Sequence, residues 1–452
     1  MTIAFSPRAA ATGLAASMFA MIACAAVSPE EAAKLKSPQY TPLGAERAAN
    51  ADGSIPAWTG GLSGPANLVN GGRRPDPFGA DKPLFSITGK NVAQHADKLA
   101  ESQVAMLKKY PDYRIDVYPT RRAMAAPAWV YDNTFKNATR ANLTDDGYKV
   151  SGAYGGIPFP LPKTGREVMW NHRLAWRTPA WSQDWDVWLI VGGKPILASG
   201  GHADYAMPYY YKDREADFKG TFWVFRTLTN APAIRAGEAV VMRENVDERV
   251  GTQIWTYVVG QRRVRKLPVA AYDTPTPTSA GLLNTDETNL FAGNMDRYDW
   301  KLVGKKELYI PINNNRFLQP PKAADVLGPN FLNPDHIRWE LHRVWVVEAD
   351  LKPGMRHVKP KRRFYFDEDS WICALADSWD ARGQLVNAGF HLSYVVPEGP
   401  GVVKGAFGIY DLLTGDYVVN SVLNNYAVQL PLGEPKPDAF FSAEALAGEG
   451  VR

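Results

Sequence analysis

The sequence predicts a β-rich α+β fold whose main element is an antiparallel sheet. Three observations predict it. From Trp185 onward, short runs of β-branched and aromatic residues recur, separated by Gly, Asn, Asp and Pro, which is the spacing of hairpin-connected strands. No strand–helix alternation runs along the chain, which argues against a doubly wound α/β sheet. Aromatic residues make up 12% of the 452 residues, with 14 Trp, a content suited to β-rich cores and to sites for apolar ligands.

Residues 1–25 read as a signal peptide. Arg8 precedes a charge-free stretch that runs through Leu14, Met18, Phe19 and Ile22 to Ala23-Cys24-Ala25-Ala26. That order is a basic region, an apolar region and a small-x-small cleavage site, and it takes the chain out of the cytoplasm. Two other readings stay open. Met21-Ile22-Ala23-Cys24 approximates a lipobox, which would make Cys24 a lipidated first residue. A membrane anchor is disfavoured, because the strongly apolar part is shorter than the ~20 residues that span a bilayer. Cleavage after Ala25 leaves Cys373 as the sole cysteine, so stability must come from burial rather than a disulfide.

Residues 26–90 are Pro- and Gly-rich and are expected to lie extended over the domain. Ser28-Pro29-Glu30-Glu31 carries a helix start: a capping hydroxyl, Pro at the first helical position, and acids at the positive end. Trp58, Leu62, Phe78, Leu84 and Phe85 are the expected anchors. Residues 91–452 form one β domain. The spacing of Val92, His95, Ala96, Leu99, Val104 and Leu107 predicts a helix over 91–109, ended by Tyr110-Pro111. A strand is expected at 128–132 and a helix within 164–177. Further strands are expected at 185–190, 218–225, 252–259, 262–267, 300–303, 306–310, 341–349, 362–366, 372–378 and 386–395.

The chemistry-bearing residues exclude more than they propose. A formal charge of +4 with only short basic runs, Arg262–Lys266 and Lys359–Arg363, gives no nucleic-acid footprint. Those runs read as solvated strand ends, or as contacts to anionic lipid or an acidic partner. His336, Glu340 and His342 form the nearest histidine cluster, but the six-residue spacing does not match a zincin helix, so hydrogen-bonded structural histidines are expected and no metal. There is no G-x-S-x-G elbow, no P-loop and no dinucleotide fingerprint. Cys373 lies in an apolar strand pattern, where a thiol is inert. Asp145-Asp146 and Asp367-Glu368-Asp369 read as solvated turns rather than paired catalytic acids. The expectation is therefore a protein with no catalytic residue, no metal and no cofactor.

Several stretches resemble a proteobacterial periplasmic family known as domain of unknown function 1329, which is similar to outer-membrane lipoprotein-sorting proteins. The resemblance rests on Val27-Ser28-Pro29-Glu30-Glu31-Ala32, Thr41–Glu46, Asp52–Gly61, Tyr257–Arg265, Tyr272–Pro275, Asp296–Trp300 and Arg363–Asp369. It covers nearly the whole chain after residue 25. It implies an unclosed, strongly curved antiparallel half-barrel with helices covering the concave face. It also implies a periplasmic protein, held at the inner face of the outer membrane, that binds a lipid or hydrophobic small molecule. An exporter of the resistance-nodulation-division type and an outer-membrane protein are the implied partners. A structural adaptor of an envelope complex is the alternative, and a lipid hydrolase is the least favoured. Trp223, Phe225, Trp255, Tyr257 and Trp345 each lie on a strand with an apolar face and are the candidate ligand-lining residues.

Overall fold

The computed structural model describes Met1, residues 27–267 and residues 272–449. The predicted signal peptide beyond Met1, with Cys24, lies outside the described residues. The strands are β1 (Phe85–Ile87), β2 (Ile115–Val117), β3 (Asn142–Thr144), β4 (Lys149–Ser151), β5 (Ala180–Val191), β6 (Lys194–Ala206), β7 (Thr221–Ala231), β8 (Ala239–Asn245) and β9 (Gln253–Val258). They continue with β10 (Arg263–Lys266), β11 (Tyr298–Pro311), β12 (Trp339–Leu351), β13 (Lys361–Asp367), β14 (Cys373–Trp379), β15 (Leu385–Val395), β16 (Val402–Asp411) and β17 (Tyr417–Val422). The α-helices are α1 (Pro29–Ala33), α2 (Glu101–Lys109), α3 (Ala128–Arg140), α4 (Gly165–Arg173), α5 (Ala323–Val326) and α6 (Ala443–Glu449).

Two antiparallel meanders make most of the sheet, and the β1–β2 pair is added to it by a single parallel pairing of Val117 with Trp339 of β12. β5 to β10 pair in sequence order, β11 to β17 do the same, and the antiparallel pairing of β17 with β5 joins them. The outer strands of the two meanders, β10 and β11, do not pair with each other among the described residues, which leaves the sheet unclosed there. α4 packs on β11 and β12 near one edge. Its Arg173 reaches Glu244 of β8 near the other. A helix that touches both flanks of one sheet lies inside its curve. The fold is thus an antiparallel half-barrel with α4 on its concave face. Thr164 caps α4 by accepting from the Glu167 N–H at 3.3 Å, and Gly165 permits the close seat: a Cβ there would lie 3.0 Å from Val347 and 3.1 Å from the Trp300 backbone. Trp129 of α3 meets Trp176, in the segment after α4, edge to face at 5.8 Å.

The outer face of β7–β9 is covered by the C-terminal segment. Leu446 of α6 packs on Ala239, Val241 and Tyr257, and Phe441 packs on Ala206 and Val224. At the N-terminus, Ser28 and Glu31 form a reciprocal capping box.

Several local expectations are corrected. The helix expected over 91–109 begins only at Glu101; Val92–Gln94 and Ala96–Lys98 are single 3₁₀ turns. Residues 128–132 open helix α3 rather than a strand. Val130, Thr134, Asn137 and Ala138 are its buried residues at helical spacing, and this packing overrides the local β propensity of Trp129-Val130-Tyr131. The two strands expected at 300–303 and 306–310 are one, β11, with a bulge between Leu302 and Gly304. Of the expected anchors of the N-terminal segment, Leu62 and Phe78 pack on the core and Trp58 donates to the Met124 carbonyl, whereas Leu84 and Phe85 are exposed; Leu43 and Ile55, both buried, are further anchors.

Candidate functional site on the concave face

The five candidate lining residues do not share a face. Across the sheet Phe225 pairs with Met242, whereas Trp255 pairs with Val241, and neighbours along a strand point to opposite sides. Trp223, Phe225 and Trp345 belong to the main core on the concave side. Trp255 and Tyr257 face outward against Leu446. The expectation of one convergent concavity is corrected accordingly. It fails because the face of β9 is decided by its register with β8, which the apolar pattern of β9 alone does not carry.

The concave face instead presents an aromatic ladder. Trp181 stacks on Tyr205 at 4.9 Å, Tyr205 runs parallel to Trp223 at 6.3 Å, and Trp223 meets Phe225 at 5.3 Å. Trp181, Tyr205 and Phe225 are only half-buried. The indole N–H groups of Trp223 and Trp345 are buried without a hydrogen-bond partner.

Beside the ladder lies a group of basic side chains, buried at Arg177, His172 and His391 and half-buried at Lys404. Arg177 follows α4 in the segment Leu174–Thr178, and Thr178 takes a left-handed φ of 84°, a strained value for a β-branched residue. Arg177 is 6% exposed and rests over the Trp223 ring at 5.4 Å. It makes no hydrogen bond and no ion pair among the described residues. Lys404 of β16 donates to the His172 carbonyl at 3.0 Å and lies 3.2 Å from His172 Nε2. His391 of β15 is fully buried, with neither ring nitrogen in a hydrogen bond of normal geometry. Burial, reinforced by Lys404 and Arg177, pushes the His172 and His391 imidazoles well below their ordinary range, so both are neutral. Burial and the Arg177 charge push the Lys404 ammonium well down. Burial lowers Arg177 to about 10. The nearby acids are already engaged: Arg173 pairs with Glu244 at 3.3 Å and with Glu248 at 2.7 Å, and burial raises Glu248 to about 7.

A second polar network clasps the N-terminal segment to the sheet. Arg122 pairs with Asp369 at 2.7 Å and donates to the carbonyls of Glu46, Arg47 and Pro56. Arg343 pairs with Glu368 at 2.7 Å and donates to the carbonyls of Glu46 and Ala48. Lys305 bridges Glu46 and Glu368 at 2.8 Å each. The Asp367-Glu368-Asp369 run is thus buried and ion-paired, which corrects the expectation of a solvated turn. The motif stretches ending at Glu46 and Asp369 meet here. Lys359 and Arg362 are likewise buried, paired with Glu287 and Asp286, so the second basic run is solvated only in part, at exposed Lys361 and half-buried Arg363.

His342, Asp367 and Asp369 offer ligand atoms within 4.8 Å of one another. Each has a prior commitment. His342 lies 3.0 Å from both Glu340 and Asp367, Asp367 also accepts from Ser370, and Asp369 is held by Arg122. Burial opposes charge on His342, but the hydrogen bonds to Asp367 and Glu340 override it and raise its pKa to about 10. An imidazolium is no metal ligand, so this group reads as an internal salt bridge. His336 is set apart on a 3₁₀ turn. Cys373 is fully buried, and burial pushes its thiol up to about 12.

A cleft of about 220 Å³ is lined by residues 62–67, Arg74, Pro75, Pro77, Asn315, Val395 and Pro397. No described helix is long and apolar enough to cross a membrane.

The sequence reading missed Arg177, Lys404, His172 and His391. One signal was present: Lys404 and Arg177 each stand alone in apolar runs, Val402-Val403-Lys404-Gly405-Ala406-Phe407 and Leu174-Ala175-Trp176-Arg177. A lone charge in a run destined for burial needs a partner.

Comparisons with known proteins bear on the whole chain. An uncharacterized protein, PA3922, of Pseudomonas aeruginosa is 37% identical over 97% of both chains. Among solved structures, a DUF1329 family protein from Desulfovibrio piger is similar at 14% identity and a TM-score of 0.43, over 62% of this chain and 97% of that one. A putative outer membrane lipoprotein-sorting protein domain from Vibrio parahaemolyticus is similar at 11% identity and 0.42, over 62% and 97%. A LolA superfamily protein from Nitrosomonas europaea is similar at 10% and 0.37, over 63% and 100%. The family described as protein of unknown function (DUF1329) matches residues 86–447, and the chain belongs to it.

Proposed function

We propose that this is a non-enzymatic periplasmic protein that binds a lipid or other hydrophobic molecule on the concave face of its half-barrel. The observation that carries the reading is the aromatic ladder Trp181–Tyr205–Trp223–Phe225, which crosses three strands of an unclosed sheet and stays half-buried at three of its four rings. Aromatic rings provide large apolar contact at little cost in conformational entropy, and each methylene of an acyl chain buried against them contributes roughly 0.8 kcal/mol. Delivery to an exporter of the resistance-nodulation-division type, and residence at the inner face of the outer membrane, belong to the same proposal and rest on the family resemblance alone.

A second reading is a structural adaptor. It is favoured by α4, which fills part of the concave face and buries every residue except Arg166. Native mass spectrometry with lipid extraction, on protein purified from its own envelope, separates the two. The carrier reading expects a releasable hydrophobic mass and binding of an apolar fluorophore by the stripped protein. Protein that carries nothing and binds no such probe supports the adaptor.

A further inference from the structure

We infer that the ligand is an amphiphile with an anionic head group, a carboxylate or a phosphate, received by Arg177 and Lys404 at the end of the aromatic ladder. This rests on the carrier reading and adds its chemistry. Three basic side chains, Arg173, Arg177 and Lys404, gather at the C-terminal end of α4, and the two acids among them, Glu244 and Glu248, are both bonded to Arg173. Arg177 is left over. It is more than nine-tenths buried and its Nε has no partner. Its compensation is partial: the Trp223 face and a Coulombic share of Glu244, whose hydrogen bond goes to Arg173, so the guanidinium is desolvated with no anion of its own.

The surroundings are short of acceptors in the same way. The Trp223 N–H beneath Arg177 is unpartnered. Lys404 has one protein carbonyl to donate to and a neutral imidazole beside it. An anion placed among these groups would accept from Arg177 in the forked geometry that guanidinium groups offer carboxylates and phosphates, and its charge would offset the Arg177 repulsion and favour the protonated form of Lys404, which would then donate to it. The chain of the amphiphile would then run along Tyr205 and Phe225. The same site in a purely structural core would be better served by an apolar residue.

The test is a binding titration on the full mature chain with palmitate, a palmitoyl lysophosphatidate and uncharged monopalmitin, for wild type, Arg177→Met and Lys404→Met. Wild type is expected to prefer at least one of the two anionic probes over monopalmitin by roughly tenfold to a hundredfold, the range of one charge-assisted hydrogen-bonded contact. The preferred probe tells carboxylate from phosphate. In Arg177→Met that preference should collapse toward one, while the thermal midpoint stays level or rises. Lys404→Met should reduce the preference in the same direction, and it keeps the test alive if the first variant misfolds. Equal binding of all three probes by wild type overturns the head-group assignment and leaves the carrier reading standing. A preference that survives in both variants also overturns the assignment. Binding of none of the three overturns the carrier reading itself.

Discussion

His342 gives a sharp test of the buried ionic network. It lies between Glu340 and Asp367 at 3.0 Å from each, with its side chain 3% exposed, and those hydrogen bonds hold its pKa near 10 against an ordinary 6.5. Because the folded value is raised, the folded state binds one proton more than the unfolded state between these limits. The His342 contribution is therefore complete below pH 6.5 and is lost as pH rises toward 10, at about 1.4 kcal/mol per pH unit, on the order of 4 kcal/mol between pH 7 and 10. Lys404 opposes this trend, because its lowered pKa makes the folded state bind fewer protons over part of the same range. The comparison with His342→Gln removes that contribution, since both proteins keep Lys404. Urea denaturation of both at pH 6, 7, 8, 9 and 10 should show the wild-type advantage shrinking steadily above pH 6.5. A constant difference across that range would mean that His342 is neutral when folded, and that the network is not the salt bridge described.

Three further outcomes are expected. Cys373, with its thiol pushed up to about 12, should react with a maleimide at pH 8 roughly a thousandfold more slowly than free cysteine while the protein is folded; rapid labelling would reopen a nucleophilic role. Leu446→Ala should destabilise the protein by ~2–5 kcal/mol in chemical denaturation and leave binding of a hydrophobic probe unaltered, because Leu446 is fully buried on the outer face; a selective loss of binding would place the ligand on the wrong side of the sheet. N-terminal sequencing of the exported protein should begin at Ala26; an acylated Cys24 or a retained Met1 would contradict soluble periplasmic export.

The strand-rich class and the positions of most central strands were legible because alternation and turn residues are local signals. β9, β13, β14 and β15 match their expected positions to within a residue or two at each end. β6, β8, β16 and β17 were not legible. Lys194–Ala206 contains Ser199-Gly200-Gly201-His202, and Val402–Asp411 contains Gly405 and Gly408, so small residues hide the β pattern. Gly405 is needed there because a Cβ would stand 2.3 Å from the Tyr394 ring. The pairing of β17 with β5 brings together segments more than 200 residues apart, and no local pattern encodes it. The candidate site was hidden for the same reason. Arg177 and His172 come from one stretch at the end of α4, Lys404 and His391 from the paired strands β15 and β16, and the seating of α4 on the sheet brings the two together. The aromatic content pointed toward an apolar ligand, but the face of each ring depends on register, which split Trp223 and Phe225 from Trp255 and Tyr257.

Photocrosslinking tests the concave-face binding site most directly. A palmitate analogue with a diazirine in its chain, photolysed on the full mature chain and mapped by peptide mass spectrometry, should label peptides that contain Tyr205, Trp223, Phe225 or Lys404, and excess palmitate should compete the label away. Labelling confined to the outer-face residues Trp255, Tyr257 and Leu446, or label that palmitate does not displace, would contradict a binding site inside the half-barrel.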